Sequence, residues 1–169
     1  MGRIFAFVAG LMVGLVAAVQ FIPVIVLGLF AGVAAAAFPK RRVLLGTQTV
    51  MMVLAAILAA LTLAAVVEVW MILLLAFLLG IANAVDMPVR QAFSVELVGR
   101  DEVSSAVALN SAMFNGARVI GPAVAGLTIG AFGVGPAFVI NAVSFLAVIV
   151  GLRLMDEQAL RSEGHTSEL

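Results

Sequence analysis

The sequence predicts an all-α fold, a polytopic membrane helical bundle with five transmembrane helices, and three observations predict it. The 169 residues are 64% hydrophobic and only 11% charged, with a mean hydropathy of +1.27, whereas soluble domains hold about 45–50% apolar and about 25% charged residues. Too few polar side chains remain to cover a surface in water, so the surface faces lipid. The apolar residues also come in continuous runs long enough for helices to cross a hydrocarbon layer of about 30 Å, without the alternation over roughly ten residues that marks a membrane β-barrel. Finally, Lys and Arg gather between alternate runs, as in a chain that crosses repeatedly.

The last residues, 161–169, read RSEGHTSEL. They resemble the translation of a common DNA-sequencing adapter, RSEEHTSEL, at every position but Gly164. They are set aside as a sequencing scar within a tail over 156–169, so His165 carries no functional weight. The first apolar run extends from Ile4 to Phe38, too long for one perpendicular crossing, and the first span is placed at 11–33. Residues 1–10 are then an irregular or truncated remnant, ahead of a five-span body over 11–155. The second span, 43–67, and the third, 69–87, form a tight hairpin interrupted by Glu68, with Trp70 at the interface where indole rings sit. A polar stretch, DMPVRQAFSVELVGRDE, precedes a fourth span at 103–129. A fifth at 136–154 follows the Gly-rich GAFGVGP. Within the polar stretch, the loose alternation over 91–98 suggests a short helix lying along the headgroups.

Orientation follows from the cations. Lys40, Arg41 and Arg42 lie between spans one and two, Arg90 and Arg100 between three and four, and Arg153 after five. All fall on one side, which the positive-inside rule makes the cytoplasm. The protein is thus expected in the cytoplasmic (inner) membrane as a multi-pass chain, with the Lys40–Arg42 loop cytoplasmic. An N-terminus outside, with no helix ahead to place it, suggests that a preceding span is lost and that both ends are truncated.

Chemistry is sparse. Nine basic and nine acidic residues balance to zero, cysteine is absent and His165 is the one histidine. Nothing here attracts nucleic acid, ligates a metal or calls for a cofactor. With no Ser/His/Asp set, HExxH or GxxxxGK[ST], an enzyme is not expected. The informative residues lie inside the fourth span, where Ser104, Ala108, Ser111, Asn115, Arg118 and Pro122 share one helix face. Arg118 sits about 16 residues past the cytoplasmic end, on the order of 24 Å into the membrane, where an unpaired guanidinium costs several kcal/mol. It is expected to point into the bundle, towards the side where absent helices would complete a cavity and whose loss leaves it exposed, either at a transport pathway or as a structural arginine on neighbouring carbonyls. Gln20, Asn83, Asn141 and Ser144 in other spans are candidate pathway lining or interhelical glue. Asp86 and Arg90, spaced i to i+4 across Pro88, are a candidate cytoplasmic gate or an exposed loop pair. Gly28 and Gly32, with Ala117, Gly121, Ala125 and Gly126, are small residues at spacings that suit close helix contact. Pro122 is a kink or a cavity-lining break.

The order of these features resembles the major facilitator superfamily, in particular its enterobactin-exporter-like, or transmembrane secretion effector, branch. The strongest piece is ANAVDMPVRQAFSVELVGRDEVSSAVALNSAMFNGARVIGPAVAG, and QFIPVIVLGLFAGV is similar to that family's second helix. The resemblance implies helices two to six of twelve, an incomplete N-terminal half. It also implies that Ala117, Gly121, Pro122, Ala125 and Gly126 occupy the exporter motif of helix five, with alanine for glycine at two places. In the loop motif after helix two, Gly32 is present, but Ala36 and Ala37 stand where the family carries its acidic and first basic residues, ahead of Lys40, Arg41 and Arg42. The implied function is efflux of a small molecule by alternating access. A proton or ion gradient would supply the energy, and the bilayer and the remainder of the transporter would be the partners. Ser111, Asn115, Arg118, Asn141 and Gln20 would lie along the substrate or coupling pathway. Asp86, Arg90, Lys40, Arg41 and Arg42 would form the cytoplasmic gate. A different class, a non-transporting membrane scaffold whose helices only pack, is the competing reading.

Overall fold

The computed structural model describes residues 2–98 and 103–154, without the side chains of 2, 3, 5, 29–37, 95–98, 103–106, 109 and 110. Arg100 and the tail over 156–169 lie outside the described residues. Five helices follow one another, α1 (Gly2–Ala37), α2 (Lys40–Leu63), α3 (Val69–Val98), α4 (Val103–Phe132) and α5 (Val134–Leu154). Each contains a stretch long and apolar enough to cross a membrane. The predicted five-helix membrane bundle is therefore present, although its helix ends differ from those expected.

Residues 2–10, expected as an irregular remnant, are the first turns of a 36-residue α1. No proline or charge pair interrupts them, and in an apolar setting a helix satisfies backbone groups that nothing else would. α2 stops at Leu63, short of residue 67, in a left-handed cap. Ala65 has φ 55°, its N–H donates to the Thr62 carbonyl at 3.2 Å, and the Val66 N–H donates to Leu61 at 3.2 Å. That pair of bonds closes a Schellman turn with alanine in glycine's usual place. α3 does not break at Pro88, and the expected separate interfacial helix over 91–98 is instead its last turns. Val89 and Phe93, both buried with Leu44, anchor the helix beyond the proline and outweigh the one backbone bond that Pro88 removes. α4 and α5 are joined by Gly133 alone, at φ +86°, with its N–H on the Ile129 carbonyl at 2.9 Å. The Gly-rich loop expected between them is thus one residue that only glycine fits without strain.

α1 lies along α3, α2 along α5, and α2 against α3; α4 meets only α5 and α3, lightly. A close approach is at Gly80, where an added Cβ would overlap the backbone carbonyl of Gln20 and crowd the Pro23 ring. Ala76, Gly80 and Ala84, one turn apart, are all buried along this side of α3. With no hydrophobic drive between helices in lipid, such small residues gain stability through close packing. Gly28, which sequence spacing had put forward for this role, meets open space, as do Gly121 and Gly126. Large side chains such as Leu127 and Leu154 point outward, as a lipid-facing surface requires.

Candidate functional site

One end of the bundle gathers a cluster of basic residues. Arg41, at the start of α2, donates from Nε to the Leu152 carbonyl at 2.8 Å and from Nη2 to the Arg153 carbonyl at 3.0 Å. A guanidinium on the last carbonyls of α5 satisfies acceptors that have no helical partner and complements the negative end of the helix dipole. Lys40 is half-buried beside it and Arg42 is exposed. These bonds put Lys40, Arg41, Arg42 and Arg153 at the same end.

Asp86 sits at this end between α2 and α3 and is only 4% exposed. Its Oδ1 accepts from Thr47 Oγ1 at 2.6 Å and Gln48 Nε2 at 2.9 Å, both on α2. Its Oδ2 accepts from Arg90 Nε at 3.0 Å and Nη2 at 2.8 Å. The Thr47 hydroxyl also lies 3.1 Å from the Leu44 carbonyl; it has one proton, and the shorter contact to the ionised carboxylate is the stronger. A buried carboxylate is costly unless paired and hydrogen-bonded, and this one has four donors. No described buried side-chain nitrogen or oxygen lacks a hydrogen-bond partner. The geometry replaces the reading of Asp86 and Arg90 as an exposed loop pair with a buried clamp whose Arg90 arm is 45% exposed. Thr47 and Gln48 were missed in the sequence. Their signal was the polar island GTQT near the start of an otherwise apolar helix.

Midway along the bundle, Gln20 of α1 and Asn141 of α5 line a pocket of about 200 Å³, so these two predicted residues are brought together. The other walls are apolar, among them Met51, Leu54, Leu75 and Phe138. Ser111, Asn115 and Arg118 are not part of it. They lie exposed on α4, as do Ala117, Gly121, Pro122, Ala125 and Gly126. Arg118, expected on the side where further helices would complete a cavity, is exposed and stacks on Phe114 of its own helix, with Cζ 5.4 Å from the ring centroid. Among the described residues no group of His, Cys, Asp and Glu could hold a metal ion.

Comparison with known proteins places these features in context. The family model described as "Transmembrane secretion effector" matches residues 5–168. The staphyloferrin A transporter of Staphylococcus aureus (strain NCTC 8325 / PS 47) is 32% identical over 143 residues, which cover 83% of this chain and 36% of that transporter. The uncharacterized MFS-type transporter YfiS of Bacillus subtilis (strain 168) is 28% identical over 147 residues, 87% of this chain and 34% of its own length. The chain thus spans about a third of the length of the curated relatives it matches. No solved structure gives a significant match.

Proposed function

This chain belongs to the transmembrane secretion effector family of the major facilitator superfamily, and on that premise we propose that it is part of a secondary transporter exporting a small molecule by alternating access. The observation that carries the reading is the Asp86 clamp. A transporter of this kind rocks one bundle against another around a central site, and each bundle must then stay rigid where its loops meet the gate. Asp86 ties α2 to α3 at that end through Thr47 and Gln48, and Arg90 leaves part of its guanidinium outward, available to a facing element. In this reading the basic end is cytoplasmic and the membrane is the cytoplasmic (inner) one, because cations are retained inside. Gln20, Asn141, Ser111, Asn115 and Arg118 are the pathway residues, and a proton or ion gradient drives the cycle. The name of the Staphylococcus relative supports a siderophore such as staphyloferrin A as the first substrate to test.

The test is export from cells carrying the full-length transporter. Asp86→Asn and Arg118→Ala are expected to lower efflux of that siderophore at least about tenfold, while the amount of membrane-inserted protein stays level. Unchanged efflux by a stably inserted Asp86→Asn protein would refute the gate assignment.

A further inference from the structure

α2 and α5 lie side by side and antiparallel along their length. At one end Arg41 of α2 reaches the last carbonyls of α5, and at the other Leu63 fills the space that a Cβ on Gly135 would need. Helical periodicity puts Arg42, Gly46, Val50, Val53 and Ile57 within one stripe of α2, and Leu146, Val150 and Arg153 within one stripe of α5; all are exposed. Both stripes lie on the side turned away from the pocket, which takes Met51 and Leu54 of α2 and Asn141 and Phe145 of α5. Below its two cations this shared surface is apolar. The Thr49 hydroxyl, beside Val50, is spent on the Leu45 carbonyl at 2.7 Å, and Gly46 leaves open space one turn below Arg42.

We propose that this groove seats one anionic phospholipid, with its headgroup phosphate held by Arg42 and Arg153 and an acyl chain lying along α2 from Gly46 to Ile57. Charge points to that occupant first. Neither guanidinium has a hydrogen bond or ion pair among the described residues, and the one described carboxylate at this end, Asp86, is buried under four donors. A guanidinium takes a phosphate through two parallel bonds, and a headgroup without a cation of its own leaves that phosphate to the protein. Depth agrees, since Arg42 and Arg153 stand at the ends of the spans Lys40–Leu63 and Val134–Leu154, where headgroups lie. Length agrees as well: Gly46 to Ile57 rises about 17 Å, roughly one leaflet of a hydrocarbon layer about 30 Å thick. A lipid held in this way joins Arg41 in tying α2 to α5. The inference rests on membrane insertion and is independent of what the whole protein exports.

For the test, the full-length transporter is reconstituted into phosphatidylcholine vesicles doped with a phospholipid that carries a diazirine on one acyl chain, under either a phosphatidylglycerol or a phosphatidylcholine headgroup. Peptides labelled on irradiation are mapped by mass spectrometry. The α2 stripe is expected to take about fivefold more label from the anionic probe. Arg42→Gln combined with Arg153→Gln should bring the two probes level, while Arg42→Lys combined with Arg153→Lys should keep most of the preference. Labelling of the Gln pair by the phosphatidylcholine probe at the wild-type level checks that it still inserts. Equal labelling of the wild type by both headgroups, or a preference that survives in the Gln pair, would overturn the proposal, because the groove would then meet bulk lipid alone. An unlabelled stripe would also overturn it, by showing that another helix covers the groove. So would loss of the preference in the presence of glycerol phosphate, which would make the occupant a free phosphate.

Discussion

At Asp86, one carboxylate does for two helices what neither could do alone. Thr47 and Gln48 hold one oxygen and Arg90 the other, so each oxygen depends on its own donors. Gln48 is itself 2% exposed, and Gln48→Leu removes a charge-assisted bond that no water can replace. It should lower stability by about 1–3 kcal/mol. Arg90→Ala takes both bonds from Oδ2 and the ion-pair partner from a buried carboxylate, so although its own arm is nearly half exposed it should cost a comparable amount, about 1–3 kcal/mol. Thermal unfolding in detergent compares the two; a negligible loss for Arg90→Ala would mean that the exposed arm contributes little to the clamp. The Asp86–Arg90 half was legible in the sequence because i to i+4 spacing is local. The Thr47 and Gln48 half was not, because it depends on the angle at which α2 crosses α3. The residues proposed for the pathway divide for the same reason. Gln20 and Asn141 converge only once α1 and α5 pack on the central pair, while Arg118 meets Phe114 of its own helix.

At the scale of the helices, apolar runs declare a span more clearly than they declare its ends. All five spans were readable from run length. What stopped or extended them was a cap at Ala65, burial beyond Pro88 and a lone Gly133, each decided by a few backbone bonds or contacts. Ala65 holds a conformation that costs an L-residue roughly 1–2 kcal/mol. Ala65→Gly should therefore raise stability by up to about 1 kcal/mol, measured by the unfolding midpoint, while no gain would argue against the left-handed cap. Gly80 gives the opposite case. Gly80→Ala must push α3 off the Gln20 carbonyl and is expected to lower stability by about 1–3 kcal/mol. Gly28→Ala, in open space, should be neutral or slightly stabilising through helix propensity of about 1 kcal/mol. Similar losses at both glycines would remove the case for a special approach at residue 80.

For the whole molecule, the topology is a matter of which end faces which compartment. With no native thiol to compete, Val66→Cys and Arg42→Cys report the two ends separately. An impermeant maleimide should label the first in intact cells and the second only after the membrane is opened; the reverse order would invert the orientation. The charge pattern that supports this orientation was plain in the sequence, because every cation used for it lies near a span boundary. How the helices are paired was not, since α1 lies mainly on α3 and α2 on α5, neither of them its neighbour in the chain. The joint at Gly133 has a further consequence, for the order in which the bundle matures. α4 hangs from α5 by a single pivot and buries none of its span, whereas the other four interlock through Gly80, Asp86 and Arg41. Regions with few buried contacts open most readily and settle last, so α4 should be the latecomer of assembly.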